Sequence, residues 1–176
     1  EHHVANGGIS RYRKFSYFLE KIVPQYAPHH EGPDLETLLH HYAAEVRQGL
    51  MDCEVAPGLH TLRKQNPGAR WLIVSGGDQT ELRDVFARRG LAPLFNAGIF
   101  GSPDSKDEIL SRELATHNIE APALFLGDSK YDFEVSLASK LDVIFLTRWT
   151  EVKGWKTWAD SKNLTFKSDL RDLLNV

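Results

Sequence analysis

From residue 57 onward the chain alternates short, unbroken apolar runs with segments of helical spacing, and this constrains the fold more than any other feature. The apolar runs are 71–74 (Trp-Leu-Ile-Val), a weaker one at 97–100, 123–126 (Ala-Leu-Phe-Leu) and 143–146 (Val-Ile-Phe-Leu). None alternates with polar residues, as expected of strands buried on both faces. Between them lie helical patterns. Leu59 and Leu62 precede a stop at Asn66-Pro67-Gly68. Asp78 caps a segment carrying Leu82, Val85 and Phe86, which ends at Gly90. Residues 104–118 present Ile109, Leu110 and Leu114, and 131–139 form another helix. Strands separated by helices in this order predict an α/β fold, a three-layer Rossmann-like parallel sheet with right-handed crossovers.

The first third of the chain reads differently. Ser10 can cap a helix in which Tyr12, Phe15, Phe18, Leu19, Ile22 and Val23 recur at helical spacing, closed by Pro24. After the Gly32-Pro33 break, Asp34 caps a second helix with Leu35, Leu38, Leu39, Tyr42 and Val46 on one stripe. Two such helices are too small to stand alone. They predict a small α-helical cap over residues 1–53, resting on a core over 54–176. At the other end, Trp149, Trp155 and Trp158 are expected in an irregular tail packed onto the core. Ser168 would then cap a last short helix over 169–174.

Composition narrows the class. The 176 residues carry a net charge of −3, with 41% hydrophobic and 26% charged residues. This is a globular composition with no basic surplus for nucleic acid or a membrane surface. No apolar run reaches the roughly 20 residues of a membrane span. The single Cys53 cannot form an internal disulfide, which fits a reducing cytoplasm, and it is expected to be a small buried residue.

Three strand ends carry the chemistry. Ser75 and Gly76 follow the first run, Lys106 follows the second after a short loop, and Asp128 with Asp132 follows the third. In a parallel sheet all of these sit on one edge, where open α/β folds hold ligands. The Ser75 hydroxyl and the Gly76 N–H can donate to phosphate oxygens, and Lys106 supplies a positive point charge. Asp128 and Asp132 offer hard oxygen ligands suited to Mg²⁺, which takes one or two carboxylates and keeps waters for a phosphate. Asp132 has an equally good structural reading as the acid of a helix cap. A Ser before Gly-Gly also makes an ordinary turn, and a Lys in a first helical turn is ordinarily solvated.

Taken together, these residues resemble the haloacid-dehalogenase-like (HAD) hydrolases. An apolar strand ending in Ser75, a helix opened by Lys106, and Gly127, Asp128 and Asp132 in a Gly-Asp-x-x-x-Asp pattern match three of that family's four motifs. The helical opening looks like the cap of phosphoglycolate-phosphatase-like members. The resemblance implies Mg²⁺-dependent hydrolysis of a small phosphate monoester through an aspartyl-phosphate, with Lys106 as a catalytic cation. Charge, hydropathy and the lone cysteine add the expectation of a soluble, cytoplasmic protein without nucleic-acid or membrane partners.

The family's first motif, Asp-x-Asp at the tip of the first strand, occurs nowhere in the 176 residues. Neither Asp34 nor Asp52 ends an apolar run. By the resemblance, that strand would precede Glu1 and lie between the strands ending at Ser75 and Gly127. Two readings follow: a phosphatase inactive without an added nucleophile, or a non-catalytic relative that binds phosphate or a partner. The resemblance also leaves a gap in the sheet, to be filled by an upstream segment, closed by direct pairing of the two strands, or filled by another chain.

Eight histidines, paired at His2-His3, His29-His30 and His40-His41, are not at zinc-ligand spacing, and His40 and His41 are expected to be exposed. Ser75 lacks the Gly-x-Ser-x-Gly elbow of a serine hydrolase.

Overall fold

The computed structural model describes residues 8–29 and 31–174. A helical hairpin opens the described chain. Ser10 caps α1 (Arg11–Tyr17) by accepting from the Tyr12 N–H at 3.2 Å. The helix continues through a π-helical turn (Phe18–Ile22) into α2 (Val23–Tyr26). Pro24 therefore does not close the segment. It stands in the first turn of α2, where its missing N–H costs nothing. Asp34 caps the 18-residue α3 (Leu35–Asp52), and Phe15 and Tyr42 meet edge to face across the hairpin, 5.4 Å between centroids. No residue of α3 is buried.

The hairpin is tied to the rest by polar contacts. Arg11 pairs with Glu81, and Tyr12 Oη donates to Asp78 at 2.8 Å. Arg89 donates to the carbonyls of Leu50 and Cys53 at 2.8 and 2.6 Å. Cys53 is exposed rather than buried, because it caps the end of α3, a helix with no buried residue, and its Sγ accepts from the Arg89 guanidinium at 3.1 Å.

The remainder is α4 (Leu59–Gln65), β1 (Leu72–Asp78), α5 (Gln79–Arg88), β2 (Gly98–Ser102), α6 (Lys106–Ala115), β3 (Leu124–Gly127), α7 (Lys130–Ala138), β4 (Asp142–Leu146), α8 (Trp155–Ser161) and β5 (Phe166–Lys167). A 3₁₀ turn, Leu170–Leu173, follows, capped by Asp169 rather than Ser168. All strand pairs are parallel, in two groups: β1 with β2, and β3–β4–β5 in that order. β1 and β3 are not paired with each other.

β4 shows how the layers form. Ile144 and Leu146 pack toward Leu62 of α4 and Leu170, while Val143 and Phe145 pack toward Ala159 of α8 and Leu164. This period-2 split puts helices on both faces of the sheet. The tail is more regular than expected. Trp155 and Trp158, three residues apart, share one face of α8. Trp158 lies 5.3 Å from the Phe145 ring and 5.5 Å from Phe133. The two tryptophans thus pack onto the core as expected, through a helix. Trp149 stays 40% exposed.

Candidate functional site

β1 delivers Ser75 through an irregularity. Its register with β2 runs Val74↔Phe100 and then Asp78↔Ser102, four residues against two, so residues 75–77 arch out of the ladder. The strand thereby reaches Asp78, beyond the run at 71–74. In the arch, Ser75 Oγ accepts from the Gly77 N–H at 3.0 Å, and the Gly76 carbonyl accepts from Ser102 Oγ at 2.9 Å. Gly76 is needed for closeness: a Cβ there would stand 2.6 Å from the Gly8 carbonyl oxygen.

The loop after β2 delivers Lys106. Ser105 caps α6 in a capping box with Glu108, which makes Lys106 the first helical residue. A cation at a helix N-terminus opposes the helix dipole. Lys106 is nonetheless only 7% exposed, and its ammonium is paired with Asp132.

The loop after β3 delivers both carboxylates. Ser129 caps α7, with Asp132 as the reciprocal acid of its capping box. Asp132 Oδ2 accepts from Ser129 Oγ at 2.7 Å and from the N–H groups of Ser129 and Asp128 at 3.2 and 3.3 Å, while Oδ1 holds Lys106. Both readings of Asp132, as helix cap and as member of a charged site, are thus visible in one side chain. Its lone pairs are largely committed. Gly127 makes room for this: a Cβ would come within 2.4 Å of Asp132 Cβ.

Asp128 is different. Burial raises its carboxyl pKa, the neighbouring Asp132 charge raises it further, and Lys106 opposes both. A cation beside this carboxylate would offset the cost of its charge. The donor set fits Mg²⁺ in a limited sense: Asp128 could serve as a direct ligand, while Asp132, committed to Lys106 and the α7 cap, would reach a metal only through water. Among the described residues there is no cluster of three or more His, Cys, Asp or Glu side chains placed to hold a metal ion. His40 and His41 are exposed on α3.

Ser75, Lys106, Asp128 and Asp132 all line one cavity of about 240 Å³ between β1 and β3. Its walls are Ile73 and Val74 on one side and Phe125 and Leu126 on the other, with Leu146 and Trp149 also lining it. Gly76 lies instead on a small neighbouring recess of about 10 Å³, which it shares with Gly8, Arg13, Tyr131 and Lys106. Lys106 is common to both spaces.

Sequence reasoning missed three of these neighbours. Thr150 Oγ1 donates to the Asp128 carbonyl at 2.6 Å and so fixes the loop that presents Asp128. Trp149 lines the cavity, and Arg13 reaches the recess from α1. Thr150 and Trp149 follow a strand end on the same sheet edge as Ser75 and Asp128, a signal the alternation already contained. Arg13 had no such signal, because nothing local says where a helical hairpin will lie.

A scan against protein-family models finds no match, and a search of curated proteins finds none either. Solved structures do match. A crystal structure of a predicted phosphatase from Clostridium acetobutylicum superposes with a TM-score of 0.66 at 18% identity, covering 92% of this chain and 74% of that one. A HAD-superfamily hydrolase from Ehrlichia chaffeensis gives a TM-score of 0.56 at 17% identity, covering 97% of this chain and 88% of the other. The chain has a haloacid-dehalogenase-like fold, an α/β parallel-strand architecture of Rossmann type. No helix among the described residues is long and apolar enough to cross a membrane.

Proposed function

We propose that these 176 residues form the phosphate- and metal-binding body of a Mg²⁺-dependent phosphatase acting on small phosphate monoesters, with residues 1–53 as its cap. The observation that carries this reading is the convergence of Ser75, Lys106, Asp128 and Asp132 on one cavity from three separate strand ends. The fold shared with a predicted phosphatase and a HAD-superfamily hydrolase supports it.

Each residue has a part. The Ser75 hydroxyl, which accepts from the Gly77 N–H and keeps its own proton to give, donates to a phosphate oxygen. Lys106 leans from Asp132 toward the phosphate and offsets its charge. Asp128 and, through water, Asp132 would hold Mg²⁺, which when bound supplies Lewis-acid polarisation of the phosphoryl oxygens. Gly76 offers a backbone N–H at the neighbouring recess.

Turnover needs a carboxylate nucleophile, and the Asp-x-Asp that the resemblance requires is not in these residues. We therefore expect them to bind phosphate without hydrolysing esters. A second reading, a non-catalytic phosphate or partner binder, is favoured by the commitment of Asp132 to Lys106 and the α7 cap.

The test is twofold. Tungstate soaked into crystals should lie within about 3 Å of both Ser75 Oγ and Lys106 Nζ, and a generic aryl phosphate should not turn over with Mg²⁺ present. An anion bound elsewhere sinks the site. Turnover that Asp128→Asn abolishes shows that another residue supplies the nucleophile.

A further inference from the structure

The segment that leads into the hairpin crosses the arch of β1 before it becomes a helix. The Gly8 carbonyl lies against Gly76, and Gly8 itself lies beside Ser129 and Lys106. The first two residues of α1 then reach over to α5. Arg11 pairs with Glu81, both side chains 13% exposed. Tyr12 Oη donates to Asp78 Oδ2 at 2.8 Å. The Asp78 carboxylate, and after it burial, raise the Tyr12 phenol above its ordinary 10, so the hydroxyl remains a donor.

These two contacts fall on unlike places. Glu81 stands inside α5. Asp78 is where the arch ends: β1 resumes its ladder there, opposite Ser102, and Asp78 Oδ1 accepts from the Glu81 N–H at 2.9 Å to cap α5. Ser102 in turn donates to the Gly76 carbonyl at 2.9 Å, in the middle of the arch. Glycines at 76 and 77 give the arch wide backbone freedom and no side chains of its own to pack. Its shape is therefore set by what grips it from outside. Without the Tyr12 hydroxyl, Asp78 would keep only the cap bond among its side-chain partners, and a half-buried carboxylate short of a donor draws its backbone toward water.

We propose that Tyr12 is a positioning residue: through Asp78 it holds the 75–77 arch in shape, and with it the Ser75 hydroxyl and the Gly76 N–H. Tyr12 lines neither the cavity nor the recess, so it acts on the site without touching a ligand. That the arch receives phosphate rests on the function proposed above; that Tyr12 fixes its shape does not.

The test uses the full chain, labelled with nitrogen-15, and two variants. Tyr12→Phe removes the hydroxyl and keeps the ring. Arg11→Gln is the control, since it loosens the hairpin from α5 without touching Asp78. The Gly77 amide, which donates to Ser75 Oγ at 3.0 Å, reports on the arch. Its hydrogen exchange should be about tenfold faster in Tyr12→Phe, as for the loss of one hydrogen bond to a charged group, while β4 amides keep their parent rates. Arg11→Gln should leave Gly77 at the parent rate. Inorganic phosphate, titrated by calorimetry, should bind Tyr12→Phe about tenfold more weakly than the parent, and Arg11→Gln as the parent does. Unchanged Gly77 exchange in Tyr12→Phe would overturn the proposal. Equal acceleration in Arg11→Gln, or acceleration shared by β4, would show general loosening and overturn it too. So would an unchanged phosphate affinity beside a loosened arch. A parent chain that binds no phosphate would sink the phosphatase reading instead, and Gly77 exchange would still decide the role of Tyr12.

Discussion

Lys106 and Asp132, each in the first turn of a different helix, form an ion pair whose side chains are only 8% and 5% exposed. The pair joins α6 to α7 at the carboxyl end of the cavity between β1 and β3, so it fastens together two strand groups that no ladder connects. A buried pair of this kind is costly to break from one side, because the remaining charge stays desolvated. Lys106→Met should therefore destabilise the chain by about 3–5 kcal/mol. The double variant Lys106→Met/Asp132→Asn should lose less than the two single losses summed. Urea unfolding of the four proteins measures this coupling, and strict additivity would show that the two groups do not depend on each other.

Asp128 should oppose stability when no metal is bound. Its folded-state pKa is raised by burial and by Asp132, so its ionised form is disfavoured in the fold. Its cost is thus absent at low pH and appears as pH rises through the folded pKa. Asp128→Asn should be the more stable protein at neutral pH, with the difference vanishing in acid. Mg²⁺ at 100 times its dissociation constant should stabilise the parent chain by about 2.7 kcal/mol and leave Asp128→Asn unmoved. Thermal melts across pH, with and without Mg²⁺, read both effects.

Gly127→Ala places a methyl group 2.4 Å from Asp132 Cβ and 2.7 Å from its Cγ. Neither atom can retreat without pulling apart the α7 capping box and the pair to Lys106. The substitution should cost about 1–3 kcal/mol or more. It should also weaken Mg²⁺ binding measured by calorimetry, because Asp128 shares the same turn. A neutral result would show that the turn is looser than its contacts imply.

Asp169, just beyond the end of β5, is 1% exposed and accepts from the Arg171 N–H, Nε and Nη2 at 2.9, 3.0 and 2.6 Å. Arg171 holds its carboxyl pKa down to about 2 from an ordinary 3.8. Because the folded pKa is depressed, this contribution is whole above about pH 4 and is lost as pH falls toward 2. Arg171→Ala should move acid unfolding, followed by circular dichroism, to higher pH. An unchanged acid midpoint would assign the acid sensitivity to other carboxylates.

Much of this was legible in the sequence. Continuous apolar runs at 123–126 and 143–146 pointed to strands, although Leu124 at the start of its strand is 52% exposed, and caps such as Ser10, Asp34 and Asp78 are local chemistry that needs no distant partner. Strand ends in a parallel sheet share an edge by topology alone, which is why chain order is enough to gather Ser75, Lys106, Asp128 and Asp132. The helix at Trp155–Ser161 was missed because its signal, two tryptophans three residues apart, was also that of a packed loop.

Other features had no local signal. The arch at 75–77 arises from the register of β1 against β2, which is a property of the pair. The contact of Cys53 with Arg89 spans 36 residues. The commitment of Asp132 depends on Lys106, 26 residues away, and this decides which of two carboxylates stays open to a cation. Sequence by itself determined what local spacing and capping encode: the α/β class, the strand ends and the residues they present. Tertiary structure alone decided which edges pair, which charges meet and how wide a space lies between β1 and β3, because those are energies of contact between segments that the chain order does not bring together.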